Sequence, residues 1–186
     1  SGAQPWAGST IATITDGEFI ATGSTTMSLR VYAPAAGKTV RLKVEDSSDG
    51  TKSVETDAVT TVANGWQTLS FDFSQQATGT AAFNNANTYN KASVFFDFMA
   101  PASGQTYYFD DLAYTKSAVA QPYTAPSNLQ NAFNSASGII DFEGAQTSLV
   151  SSGTPADSSG SVIKSIKPSG AQPWAGSTIA TITDGE

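Results

Sequence analysis

The segment VRLKVEDSSDGTKSVETDAVTTV, residues 40–62, decides the fold class of this chain. Residues 40–46 alternate apolar with polar side chains, and residues 52–62 are rich in Thr and Val. An alternation of period two is typical of half-buried β-strands. Between the two halves, Asp49-Gly50 favours a tight hairpin turn. The segment therefore predicts two antiparallel strands that place one face in the core.

The same signal continues on both sides of this hairpin. Turns are predicted at Asn64-Gly65 and Ser103-Gly104, and no stretch keeps a helical period. Residues 93–99 are apolar on both faces, which indicates a central strand. Many short strands joined by Gly, Asn and Asp turns predict an all-β jelly-roll β-sandwich. The further predicted strands are residues 28–32, 66–73, 107–114, 139–144 and 161–167, the last two separated by a Ser/Gly/Pro loop.

The first eighteen residues, SGAQPWAGSTIATITDGE, recur unchanged as residues 169–186. This identity indicates an excerpt from a tandem array of near-identical repeats, although a sequence assembled with a deliberately repeated end would look the same. Residues 1–114 are predicted to form the main part of the sandwich and residues 115–138 a linker. Residues 139–168 supply its opening strands. These strands either fold back on the same chain, as a circularly permuted monomer, or complete a neighbouring copy by strand exchange.

The composition excludes several classes of function. Charged residues make up 13% of the chain and the formal net charge is −7, which argues against nucleic acid as a partner. No apolar run reaches the ~20 residues of a membrane span, so membrane insertion is not expected. The absence of Cys and His excludes thiol chemistry, His-based triads and ordinary zinc sites, and leaves Ca²⁺ as the expected metal. Such an acidic, Thr/Ser/Asn-rich repeat is typical of secreted or cell-surface proteins of bacteria.

When the repeat is read from Gly138 to residue 186 and on from residue 19 of the next copy to Tyr114, it opens with IIDFEG and closes with YYFDDLAY. Together with GAQPWAG, VRLKVED and TTVANGWQTLSFDF, these motifs resemble the jelly-roll carbohydrate-binding modules appended to bacterial β-1,3-glucanases. The resemblance covers the whole unit except the linker. It implies an extracellular, non-catalytic module that binds a neutral polysaccharide, with β-glucan favoured, and whose partners are that polysaccharide and neighbouring identical repeats.

The same resemblance implies a structural Ca²⁺ where the opening and closing strands meet. Glu143, Asp111 and Asp141 would supply carboxylate oxygens. Two or three carboxylates crowded at a sheet edge repel one another unless a cation neutralises them. The alternative is that Asp110 and Asp111 are solvated residues at a strand end.

Aromatic rings that stack on sugars, and planar polar groups that bond vicinal hydroxyls, are the expected ligand contacts. Trp6 and its twin Trp174 lie between a proline and two small residues, in a loop-like setting beside Gln4, which suits a stacking platform. Trp66 differs, because it is in phase with the polar residues of an alternating strand. In related modules the corresponding Trp is usually part of the scaffold.

The hairpin of residues 40–62 offers the second candidate surface. Arg41, Lys43 and Glu45 share the face opposite the core, and Glu55 and Asp57 share a face of the neighbouring strand. Two interpretations stay open: these five side chains line a sugar groove, or they form an ordinary solvated face of cross-strand salt bridges.

An enzyme is not expected. Jelly-roll β-glucanases carry Glu-x-Asp-x-Glu on one strand, and here Val59 stands where the second Glu belongs. The competing function is a structural spacer repeat of a large bacterial adhesin or extracellular fibre, assembled by strand exchange. A binding module needs an exposed ring at Trp6, whereas a spacer does not.

Overall fold

Eleven β-strands follow one another along the part of the chain that the structure describes. The computed structural model describes residues 8–13, 17–101, 103–114, 140–142, 146–153, 156–166, 168–169 and 176–178. The strands are β1 (Ser9–Thr13), β2 (Thr26–Ala33), β3 (Thr39–Asp46), β4 (Asp49–Val59), β5 (Gly65–Asp72), β6 (Lys91–Phe96), β7 (Thr106–Tyr114), β8 (Ile140–Phe142), β9 (Gln146–Gly153), β10 (Ala156–Ile166) and β11 (Gly176–Thr178).

The strands form two antiparallel sheets and one short pair. Sheet A has the order β1-β6-β3-β4, and sheet B has the order β5-β2-β7-β10-β9. The pair joins β11 to β8. The described residues contain no helix, and hence no apolar helix of membrane-spanning length. The prediction of an all-β fold is confirmed, and the two sheets are consistent with a β-sandwich.

Strand alternation separates the faces of each sheet. In β3, Val40, Leu42 and Val44 are fully buried, while the residues between them are less buried or polar. In β2, Leu29 and Val31 are fully buried in the same way. Because side chains alternate across a strand, the inner faces of both sheets are apolar and contribute to one common core.

Aromatic rings connect the two sheets through this core. The ring of Phe96, from β6 of sheet A, stacks on Tyr107 of β7 with centroids 4.8 Å apart. Phe109, also on β7, lies 5.6 Å from the same ring. Burial and the nearby charge of Asp97 raise the pKa of the Tyr107 hydroxyl well above its usual value. Phe96 therefore fixes the spacing of sheet A against sheet B.

The two edge strands of sheet A, β4 and β1, differ in the residues that lie beside them. Beside β4, the amide of Ala77 donates to the carbonyl of Glu55 at 2.7 Å, and the Thr56 hydroxyl donates to the carbonyl of Gln75 at 3.0 Å. Residues 75–77 thus lie against the middle of the β4 edge, where they occupy one of its backbone carbonyls. At the other end of sheet A lies β1.

Three details of the strand prediction were wrong. The hairpin turn is formed by Ser47 and Ser48, since Asp49 and Gly50 already belong to β4. The Asp46 carboxylate accepts a hydrogen bond from the Ser48 amide at 2.9 Å and so stabilises the earlier turn. Most of the region expected to be a Ser/Gly/Pro loop before residue 161 is strand β9 and the start of β10. Strands β1 and β11 were not predicted.

Replacing Phe96 by Ala is expected to lower the free energy of unfolding by about 3–5 kcal/mol, because a ring that contacts both sheets leaves a cavity between them. Urea denaturation followed by tryptophan fluorescence measures this loss. Val59→Ala is the control, since Val59 is 53% exposed and its truncation should change stability by less than about 0.5 kcal/mol. Equal effects of the two variants would contradict the role given to Phe96.

Candidate functional site

The five side chains predicted on the hairpin lie together on the outer face of sheet A. The register of β3 with β4 places Arg41 opposite Asp57 and Lys43 opposite Glu55. Glu45 lies one step further along β3, on the same face. We call these five residues the charged strip. Its formation follows from the burial of the alternate residues of β3, which leaves the strip on the opposite face.

Arg41 is the centre of the charged strip. Its Nε and Nη2 donate to the two carboxylate oxygens of Asp57 at 2.7 and 2.8 Å, and its Nη1 donates to Glu55 at 3.0 Å. Its guanidinium also lies over the ring of Phe98, 3.8 Å from the centroid. Burial lowers the pKa of Arg41, but the contacts with Asp57 and Glu55 outweigh it and leave the pKa above its usual value. The guanidinium is therefore held flat and in one orientation.

Glu45 is the most buried member of the charged strip, with 7% of its surface exposed. Lys91, on β6, contacts its carboxylate at 2.8 Å, and Lys43 forms a second ion pair with it. Burial alone would raise the pKa of Glu45, but hydrogen bonds from Lys43 and Lys91 outweigh it and hold the pKa below its usual value. The carboxylate is therefore stabilised in its charged form.

Three residues of this face were missed from the sequence. Phe95 lies opposite Arg41 in the register of β6 with β3, and its ring packs edge-on against Phe98 at 5.8 Å. Lys91 follows the same alternation, which puts residues 91, 93 and 95 on one face of β6. This signal was present in the sequence, but it was hidden because β6 carries apolar side chains on both faces.

Gly8 brings the start of the described chain onto this face. A Cβ atom built on Gly8 would lie 2.0 Å from the ring of Phe95, so the backbone here passes directly against the ring. Any larger residue at position 8 would have to displace Phe95. The predicted platform residues Gln4, Trp6 and Trp174 lie outside the described residues.

Trp66 lies half-buried on the outer face of sheet B, where it contacts two neighbouring side chains. The guanidinium of Arg30 sits 4.2 Å from the centroid of its ring, and Tyr32 packs edge-on against it at 5.8 Å. Tyr108 packs against the other side of Tyr32, also at 5.8 Å. Among the described side chains, the indole Nε1 of Trp66 is a buried polar atom without a hydrogen-bond partner.

The predicted metal ligand Asp111 lies at a β-bulge of β7. Its φ of 50° and the shifted register opposite β2 bring Asp110 and Asp111 to the same guanidinium, that of Arg30. The Arg30 Nε donates to Asp111 at 2.7 Å, and its Nη2 lies 3.9 Å from Asp110. A cation at Asp111 would therefore have to share this carboxylate with Arg30.

The structure gives no side-chain contacts for the other two predicted metal ligands, Glu143 and Asp141. Glu143 lies outside the described residues, and Asp141 lies on β8 without a described side chain. Within the described part of the chain, no group of three acidic, Cys or His residues is placed to hold a metal ion. The structure therefore places two carboxylates at the bulge, those of Asp110 and Asp111, and both lie against the guanidinium of Arg30.

The Glu45→Gln variant is expected to lose about 1–3 kcal/mol of stability at pH 7, because two lysines lose their buried charged partner. Since the folded-state pKa of Glu45 is lowered from 4.5, its contribution is present above that value and disappears as the pH falls through the folded-state pKa. Urea titrations of both proteins between pH 7 and pH 2 should therefore converge at the acid end. Val59→Ala is the control, because an exposed aliphatic side chain does not titrate and its difference from the wild type should not change with pH. A pH-independent gap for Glu45→Gln would contradict the assignment.

Comparisons with known proteins do not identify a family for this chain. No protein-family model matches its sequence. No curated protein matches it significantly. The function is therefore inferred from the two outer faces and their side chains.

Proposed function

We propose that this chain is a non-catalytic, extracellular carbohydrate-binding repeat that binds a neutral polysaccharide on the outer face of sheet A, with β-glucan favoured. Its contacts would be the charged strip, together with Trp6, Trp174 and Gln4. Its place of action would be outside a bacterial cell, either secreted or at the cell surface. The proposal rests on the geometry of the strip and on the resemblance to carbohydrate-binding modules.

The observation that carries this proposal is the environment of Arg41. A guanidinium held by three hydrogen bonds and backed by the Phe98 ring is a rigid, planar polar group. Vicinal hydroxyls of a sugar match such groups, since each can donate to a carboxylate and accept from a guanidinium. Asp57, with 33% of its side chain exposed, is the member of the strip that a ligand reaches most readily. Preorganised contacts reduce the entropy lost on binding.

The aromatic part of the proposed site lies beside this polar part. Phe95 and Phe98 are half-buried on the same face, and Gly8 packs against Phe95. Trp6 precedes Gly8 by two residues in the sequence. We propose that its ring joins this face, where it would give the apolar face of a sugar its stacking partner.

The proposal includes a jelly-roll architecture that is circularly permuted relative to the natural repeat. In support, β10 pairs with β7 over residues 163–166 and 106–109, and β9 extends the same sheet. The strands that follow the proposed linker, residues 115–138, thus add to the sheet formed by the residues before it. Neighbouring identical repeats remain its proposed structural partners.

Calcium is the proposed cofactor, with Glu143, Asp111 and Asp141 as ligands. The support is that neighbouring carboxylates repel one another unless a cation lies beside them. At the bulge, the guanidinium of Arg30 is such a cation for Asp110 and Asp111. A bound Ca²⁺ would supply the remaining positive charge where the opening strand meets the closing one.

A binding role is favoured over a hydrolytic one by the partners of Glu55 and Asp57. Both carboxylates bond the same guanidinium, which ties them to one another. A glycosidase needs two carboxyl groups that flank the scissile bond, one of them protonated to act as the acid and the other ionised to act as the base or nucleophile. Val59, where a second glutamate would stand, is exposed at the end of β4.

The second candidate function is a structural spacer repeat of a surface adhesin or fibre. The exact recurrence of residues 1–18 as residues 169–186 favours it, because uniform length matters more to a spacer than to a binding site. The two functions differ in one measurable respect, since only the binding module has affinity for a glycan.

Calorimetric titration with a soluble β-1,3-glucan tests the proposal directly. The Trp6→Ala/Trp174→Ala variant should lose binding by tenfold or more, and Asp57→Asn should weaken it about tenfold, which corresponds to about 1.4 kcal/mol. Asp49→Asn is the matched control, because its carboxylate lies at the start of β4, away from Arg41, and binding should stay unchanged.

The other outcomes of this titration reject the proposal. No binding to a panel of glycans would favour the spacer repeat. Binding that survives Asp57→Asn but is lost in Tyr108→Ala would place the site on the outer face of sheet B instead.

The calcium proposal predicts a stability shift. At a Ca²⁺ concentration about 100 times the Kd, binding stabilises the fold by about 2.7 kcal/mol, which raises the Tm by roughly 5–10 °C relative to the chelator-treated protein. Asp111→Asn should abolish the difference, and Mg²⁺ should not replace Ca²⁺. Equal Tm values with Ca²⁺ and with chelator would contradict calcium binding.

A further inference from the structure

The turn that follows β6 contains two residues with a left-handed backbone. Asp97 has a φ of 50° and Met99 has a φ of 66°. Among the described residues other than glycine, four have a positive φ, and two of these four flank Phe98. A side chain at positive φ is strained, and Met tolerates this conformation less well than Asp. Such strain persists only where surrounding contacts hold it, and it is concentrated at functional sites.

The contacts that hold this turn come from the start of β3 and from the residue before it. The Nζ of Lys38 donates to the Asp97 carboxylate at 2.9 Å. The amide of Phe98 donates to the carbonyl of Thr39 at 3.0 Å, which continues the pairing of β6 with β3. The backbone of Lys38 is itself fixed, because its amide and its carbonyl both bond Thr60, each at 2.9 Å. The ammonium group that holds Asp97 therefore belongs to an anchored segment.

Phe98 is the residue that this arrangement places. The guanidinium of Arg41 lies over its ring, 3.8 Å from the centroid. The hydrogen bonds to Asp57 and Glu55 hold the edges of the guanidinium, whereas the ring supports its face. A planar group that is held only at its edges can still tilt. The position of Phe98 therefore sets the plane that Arg41 offers to a ligand.

We propose that Asp97 is a positioning residue of the charged strip, which holds the Phe98 ring against Arg41 through its ion pair with Lys38. Its effect on glycan binding is indirect and rests on the proposed function. The two side chains of the pair are 23% and 20% exposed, so solvent screens their attraction only in part. Without the pair, the turn relaxes from its left-handed conformation and the ring moves with it. Fewer chains then have a correctly oriented guanidinium, and the affinity falls in proportion.

The NMR chemical shift of the Arg41 Nε proton tests this positioning without any ligand. A proton beside the face of an aromatic ring is shifted by the ring current, and Phe98→Leu gives the shift in the absence of a ring. Asp97→Asn removes the charge and keeps a residue that tolerates positive φ. Its Arg41 shift should move most of the way to the value in Phe98→Leu. Lys38→Met should have the same effect, because it removes the other partner of the ion pair.

Lys52→Gln is the matched control for these variants. It also removes an ion pair of sheet A, the one with Asp49 at 3.4 Å, but this pair lies at the hairpin end of β4. The Arg41 shift should therefore keep its wild-type value in Lys52→Gln. A wild-type shift in either Asp97→Asn or Lys38→Met would overturn the proposal.

Calorimetric titration with the β-1,3-glucan tests the consequence for the proposed glycan site. Asp97→Asn should weaken binding about threefold or more in the wild-type background. In the Phe98→Leu background it should have no further effect, because both residues act through one contact. An equal loss in both backgrounds would overturn the proposal, since Asp97 would then act independently of Phe98. If the wild-type chain binds no glycan, the proposed function fails, and the Arg41 shifts alone decide the positioning role.

Discussion

The register between β3 and β4 is the constraint on which the rest of this structure depends. It buries Val40, Leu42 and Val44, and it therefore sets which residues lie on the outer face of sheet A. A slip of one residue would exchange the two sets, placing Arg41 in the core and the three aliphatic residues in water. The apolar core and the charged strip are thus two consequences of one pairing, and neither exists without the other.

The charges of this chain are few and are concentrated. Nine Lys and Arg residues face sixteen Asp and Glu residues. In the described part, six cations form ion pairs, and they are Arg30, Lys38, Arg41, Lys43, Lys52 and Lys91. Three of these six lie on the outer face of sheet A. Half of the described cations that form ion pairs thus lie on one surface, in a chain with few charged residues. That concentration distinguishes this face from the rest of the described structure.

Strand alternation made much of sheet A, together with β2, β5 and β7, predictable from the sequence. The five residues of the charged strip were also predictable, because side chains alternate along each strand and these five lie out of phase with the apolar residues. The contact of Lys91 with Glu45 was not, since β6 reaches β3 only after a long connection. Strand β9 was missed because QTSLVSSG has little apolar character. The bulge at Asp111 depends on the pairing of β7 with β2, which no local pattern encodes.

The contact of residues 75–77 with the β4 edge has a consequence for aggregation. Sheets with two open ends can recruit further strands without limit, which is how cross-β fibrils grow. Here Ala77 donates to the carbonyl of Glu55, and the Thr56 hydroxyl donates to the carbonyl of Gln75, so the chain itself occupies the middle of this edge. A strand from another copy would have to displace these residues before it could pair along β4, which makes growth of sheet A at this end less favourable.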